Sequence, residues 1–216
     1  MKYFLPLCLL FFSTPLFSQN LKSNSKAISP LASYSQIWNE IKYSSCNTAV
    51  NATYLSKNEK DVIYILNLIR LYPALFNKTV LAKYPSVSGK YYLLMDSFYY
   101  ISLVKTLQKM DARNILYSDS TCFISAKCHA YYSGITGYVG HERKTQDCIR
   151  KEKFLGECCD YGNYDALNIV LSLLIDEGVP SLGHRKICLS TYYTKIGVSI
   201  QPHTGYSNNA VLDFYN

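Results

Sequence analysis

The chain has one tryptophan against 21 tyrosines. Beyond its first residues it has no apolar run near the ~18 residues that a membrane span requires. A transmembrane helix is therefore excluded for the rest of the sequence. Basic residues never gather into a stripe: Lys57, Arg70, Lys105 and Arg143 stand far apart with acids between them. The formal charge of +7 thus reads as a mildly basic, solvated surface, and nucleic acid is not an expected partner. No two cysteines show the C-x2–4-C spacing of a structural zinc knot, and no internal repeat is visible.

The start of the chain sets the expected compartment. Lys2, an apolar run through Phe12 and small or polar residues over Ser13–Ser18 match a secretory signal peptide, 1–18, cut before Gln19. Removing it takes away Lys2 and no acid, so +7 becomes +6. The expected localisation is secreted or periplasmic. The remaining chain suffices for one sizeable core. Residues 19–33 are Ser-rich and interrupted by Pro30, so 19–55 reads as an N-terminal arm, with room for a short helix over Tyr34–Tyr43. The regular domain is placed at 56–216.

Seven cysteines follow the leader, six of them between Cys122 and Cys188. In an exported chain this crowding reads as a disulfide framework, with Cys46 as the odd thiol. Six cysteines allow 15 connectivities, and none is chosen. Cys158 and Cys159 are adjacent and would strain if joined to each other, so each is expected to pair elsewhere. The abundant tyrosine points to half-buried surfaces or a ligand-facing groove, because the ring is buried while the hydroxyl stays wet.

Periodicity supplies most of the elements. Ser56-Lys-Asn-Glu59 is a capping-box pattern, and Val62, Ile65, Leu66 and Ile69 follow at helical spacing up to Pro73. Further helices are expected over Ala74–Tyr84, Asp96–Met110, Asp119–Tyr132 and Ala166–Glu177. The glycine-punctuated stretch from Gly134 to Gly162 reads as loop. Two strands, Ile196–Ile200 and Ala210–Phe214, close the chain around a connection over Pro202–Asn209. Helices followed by a late antiparallel sheet give an α+β or layered α/β/α domain.

Three short pieces carry chemistry: Gly140-His141, Gly156-Glu157, and Asp176-Glu177 followed by Gly183-His184. Two neutral imidazoles can hold a divalent cation and leave positions for water. Nearby carboxylates can orient those rings, accept protons or bind a hydroxyl-bearing ligand. His129, beside Cys128 on an expected helix, reads as a packed residue, and His203 in the closing loop as an exposed one.

The runs HAYYSGITGYVGH, FLGECCDYG, ALNIVLSLLIDEGVPSLGHRKICL, KIGVSI and VLDF occur in an order that resembles the CAP superfamily (cysteine-rich secretory, antigen 5, pathogenesis-related 1). NLIRLYPALF is similar to that family's first helix, and the resemblance covers Ser56 to Phe214. It implies a three-layer α/β/α sandwich with a central antiparallel sheet and a cleft lined by His141, Glu157, Glu177 and His184. His141 and His184 would be the ligands of a Zn2+ ion. Two departures stand out. Cys158 occupies the place of an expected asparagine, which suggests a cleft edge stapled by disulfides. The helix before the second acid lacks its usual tryptophan, with Leu174 there instead, so either Asp176 or Glu177 faces the cleft.

Such domains share a fold more than an activity. The leading expectation is a secreted module that binds a metal or an extracellular lipid, peptide or protein. The alternative is a zinc-assisted hydrolase with Glu157 or Glu177 as general base. A thiol enzyme using Cys188, four residues after His184, and a purely structural protein complete the range.

Overall fold

Ser56 opens the first long helix as the sequence leads one to expect. Its Oγ accepts from the Glu59 backbone N–H and the Glu59 carboxylate accepts from the Ser56 N–H, closing a capping box before α1 (Lys57–Leu71). In the computed structural model Met1, residues 28–90 and residues 94–216 are described. The leader read over 1–18 therefore lies, Met1 apart, outside the described residues. Among those described, no helix is long and apolar enough to cross a membrane.

After Pro73 the chain forms a short α2 (Pro73–Phe76) that runs into a π turn over Asn77–Leu81, in place of one helix through Tyr84. Then follow α3 (Tyr84–Val87), α4 (Phe98–Lys109), β1 (Tyr117–Ser118), α5 (Ser120–Thr136) and α6 (Gln146–Lys151). The rest is β2 (Gly156–Tyr161), α7 (Ala166–Ile175), α8 (Gly183–Cys188), β3 (Lys195–His203) and β4 (Ser207–Tyr215).

The four strands form one sheet in the order β1-β3-β4-β2. β3 and β4 are longer than their apolar cores, and their connection shrinks to a tight turn. The short β1 runs parallel to β3, so the sheet is mixed and not purely antiparallel. β2 was not expected: Gly156–Tyr161 looked like loop, because a strand buried on both faces shows no alternation.

Side-chain alternation divides the packing. Cys158, Val198 and Leu212 belong to the main core with α1 and α7, whereas Cys159 and Val211 pack with Ala126 and Ala130 of α5. α5 lies directly against β3. A Cβ on Gly197 would stand 2.0 Å from the Phe123 nitrogen, and one on Gly134 would stand 2.0 Å from the Pro202 oxygen. Only glycine fits at either contact.

Of the segment read as an arm, the described residues 28–55 contribute to this core. Two 3-10 turns, Gln36–Asn39 and Ile41–Cys46, replace the expected short helix. Leu31, Trp38 and Cys46 are wholly buried, and Trp38 donates from its indole nitrogen to Thr79 Oγ1 at 3.1 Å. A buried tryptophan needs that partner.

One disulfide, Cys128–Cys148, joins α5 to α6. Cys46, Cys122, Cys158, Cys159 and Cys188 are buried thiols. The cleft edge is thus not stapled in this arrangement, and the framework amounts to one bridge among the described residues.

Candidate functional site

β2 is an edge strand, and the site wraps around that edge. Glu157, Cys159 and Tyr161 point to one side of it and Cys158 and Asp160 to the other.

On the first side stands His141, in a loop whose Gly137 and Gly140 take positive φ. Its Nδ1 lies 2.8 Å from Glu157 Oε1. Glu157 is itself held from behind: Arg143 Nη2 stands 2.5 Å from Glu157 Oε2 and 3.2 Å from Asp213 Oδ2. Glu157 and Asp213 are direct partners across the β2–β4 ladder. Burial pushes the Glu157 carboxyl up, but the hydrogen bond from His141 and the Arg143 guanidinium outweigh it and hold the group at about 2. Asp213 goes the other way. Its burial, reinforced by the charge on Glu157, raises it well above the ordinary range. Two carboxylates at one guanidinium cannot both ionise cheaply, so the pair is driven apart, Glu157 downward and Asp213 upward.

On the second side α7 ends at Ile175, and Asp176 caps it in the left-handed conformation (φ 60) that aspartate tolerates. From there Asp176 Oδ1 lies 2.7 Å from His184 Nδ1, and Oδ2 accepts the backbone N–H groups of His184 (3.0 Å) and Arg185 (3.3 Å). Two buried arginines fix α8 in place. Arg185 donates to the carbonyls of Leu174 and Ile175 at the end of α7 and to Tyr99, and Arg70 donates to the carbonyl of Cys188. Unpaired helix-end carbonyls are natural acceptors for such donors.

The two rings therefore meet. His141 and His184 have centroids 6.1 Å apart with planes tilted by 38°. Carboxylates only accept, so each Nδ1 donates, and the neutral ring then has its Nε2 lone pair free. His141 is half exposed, with 56% of its side chain accessible, against 22% for His184.

Beside His184 opens a cleft of about 590 Å³ lined by Tyr84, Asp160, Tyr161, Asp176, Glu177 and His184 among others. Asp160 is almost fully buried, and burial raises its carboxyl despite hydrogen bonds from Ser172 and Asn163. Glu177 is exposed and accepts from Ser97 Oγ at 2.5 Å. Thus Asp176 is the partner of His184, and Glu177 contributes only to the cleft wall.

A third grouping lies deeper. His129, Glu157 and Cys159 are all buried, and each offers a ligand atom within 4.8 Å of the others, so this group could hold a metal ion. Occupancy would require Cys159 to lose a proton that burial holds well above the usual thiol range. His129 Nε2 donates to the Gly140 carbonyl at 2.8 Å, which leaves Nδ1, buried without a partner, as the lone pair that ring can offer. Cys159 Sγ is 3.6 Å from His141 Nδ1, so inner and outer groupings touch.

Sequence reasoning brought His141, Glu157, Asp176 and His184 to the site. It missed Arg143, Asp213 and Cys159, and it read Arg70 and Arg143 as solvated charges although both are buried. The available signal was Asp213, a lone acid inside an apolar closing strand. His203 is buried, not exposed: its Nδ1 accepts from Gly205 and its ring packs on Tyr161. Cys188 is fully buried and does not line the cleft. Family models, curated proteins and solved structures give no match to this chain.

Proposed function

We propose that this chain is an exported ligand-binding module with a CAP-like three-layer α/β/α sandwich, whose cleft presents a zinc ion held by His141 and His184. One observation carries the reading. Two imidazoles, each with its Nδ1 secured by a buried carboxylate, meet across the edge of β2; His184 lines the cleft, whereas His141 and Glu157 lie outside its lining. Carboxylate-anchored imidazole is the arrangement that metal-ligating histidines use. Two protein nitrogens would leave coordination positions for water or for a group on an extracellular lipid, peptide or protein. The leader pattern and the Cys128–Cys148 bridge support export. The order of the motifs supports the family.

A zinc-assisted hydrolase is the weaker reading. Glu157 is committed to His141 and Arg143, so it is poorly placed to accept a proton from water. Glu177, with its carboxylate in the cleft wall, is what favours this alternative.

Zinc titration calorimetry on the full chain, beside a His141→Ala/His184→Ala variant checked by circular dichroism, tests the proposal. Zinc should bind the parent and not the folded variant. Equal binding by both would sink the outer site and move the metal to His129, Glu157 and Cys159. Peptide hydrolysis abolished by Glu177→Gln, with zinc still bound, would favour the hydrolase.

A further inference from the structure

Two cysteines take no part in the site yet lie directly beneath it. Cys158 sits on β2 between Glu157 and Cys159, turned into the main core, and Cys188 ends α8, one turn beyond His184. Neither has any exposed surface. Their sulfurs are 3.9 Å apart, across 30 residues of chain. A disulfide needs about 2.05 Å, so closure asks the two sulfurs to approach by about 2 Å. The two side chains are already in contact, so their own rotation is the first movement available to close that gap. The other thiol at this strand, Cys159, faces the opposite way, toward His141.

We propose that Cys158 and Cys188 form a second disulfide under oxidising conditions, pinning α8 to β2 below the cleft. The inference rests on the export reading only for where those conditions are met. The reaction is two successive exchanges with a small-molecule disulfide such as oxidised glutathione. The thiolate of one cysteine attacks it, forming a mixed disulfide and releasing one glutathione thiolate. The thiolate of the second cysteine then attacks the protein-side sulfur and releases the other glutathione. The two cysteines are oxidised, glutathione is reduced, and the two thiol protons pass to the released thiolates or to solvent. Both sulfurs are fully buried, so a small-molecule disulfide has no access to them in the folded protein. Closure therefore belongs to folding, before the core excludes the oxidant.

The cross-link would matter to the site because its two ends carry opposite walls. β2 bears Glu157, the anchor of His141, and α8 bears His184. Fixing one to the other fixes the spacing of the two imidazoles.

The full chain, reduced and denatured, is refolded in a glutathione redox buffer, acid-quenched, alkylated and digested without reduction for mass spectrometry. The expected product lacks four hydrogens relative to the reduced chain and yields two linked peptide pairs, Cys128–Cys148 and Cys158–Cys188. Cys158 and Cys159 share a tryptic peptide, so the Cys159→Ser variant, which should give the same link, settles the assignment. Cys128–Cys148 closed while both Cys158 and Cys188 are alkylated overturns the proposal, as does a link from Cys188 to any other cysteine. If both links form on refolding but neither is present in protein taken from its native host, the pair stands and the export reading fails.

Discussion

His141 and His184 come from opposite sides of one edge strand and stop with ring centroids 6.1 Å apart. Neither ring could hold this position alone. Each is oriented by a buried carboxylate that is itself fixed, Glu157 by Arg143 and Asp176 by the first N–H groups of α8. The imidazoles are the accessible tips of two rigid brackets.

The bracket under His184 is testable at adjacent positions. Asp176→Asn keeps a residue that tolerates left-handed backbone but removes the charge behind the ring, and should weaken zinc binding about 10- to 100-fold. Glu177→Gln, one residue on, should leave it unchanged. Calorimetry of both variants decides, and equal losses would discard the assignment of Asp176.

Arg143 compensates two buried carboxylates. Arg143→Met should cost about 3 kcal/mol or more, because removing one partner strands buried charge. Urea unfolding reads this directly. A loss below about 1 kcal/mol, typical of an exposed pair, would mean that solvent screens the network.

Acid should destabilise the protein in two stages. Burial lowers the affinity of His129 for a proton, so the unfolded chain binds more protons and stability falls as pH drops below ~6.5, the ordinary histidine value. Glu157, held at about 2 against an ordinary value of 4.5, adds a second loss as pH falls between those limits. Asp213, shifted upward, opposes this: its contribution is full below ~3.9 and is lost as pH rises through its folded value. Urea midpoints against pH should show the first stage disappear in His129→Gln. An unchanged slope between pH 6.5 and 5 would remove His129 as its source.

Two glycines should fail for different reasons. Gly197→Ala drives a methyl into the backbone of Cys122 and Phe123 and should cost about 3 kcal/mol. Gly178→Ala meets no neighbour within 4 Å but has φ +76, and should cost only the left-handed penalty of about 1–2 kcal/mol. Thermal or urea unfolding separates the two.

Trp38→Ala measures how far the N-terminal segment belongs to the core. With its ring wholly buried, the substitution should cost about 3–5 kcal/mol. A loss under 1 kcal/mol would return residues 28–55 to the status of an arm.

What could be read from the residues follows the reach of each signal. α1 was legible because Ser56 and Glu59 form a local cap and Val62 to Ile69 repeat at one period. The two histidines whose rings meet were singled out in the sequence by their glycine neighbours, Gly140 and Gly183. Asp176 could not be separated from Glu177, since the choice depends on α7 ending at Ile175 and on a left-handed turn that adjacent acids do not announce. β2 was hidden because both its faces are covered. Arg70 and Arg143 looked like surface charge because their acceptors, the Cys188 carbonyl and the Glu157 and Asp213 carboxylates, lie 118, 14 and 70 residues away in sequence. A long-range partner leaves no mark beside the residue it serves.

The pairing of Glu157 with Asp213 in the β2–β4 ladder has one more consequence. A slip of one residue along that ladder would send Glu157 to the far face and bring Cys158 under His141. The ring would lose its acceptor, and Arg143 would be left facing a thiol. The hydrogen-bond ladder of an edge strand thus acts as the alignment gauge for the imidazole above it. Damage to strand pairing anywhere along β2 should be felt first as a change in the chemistry of His141.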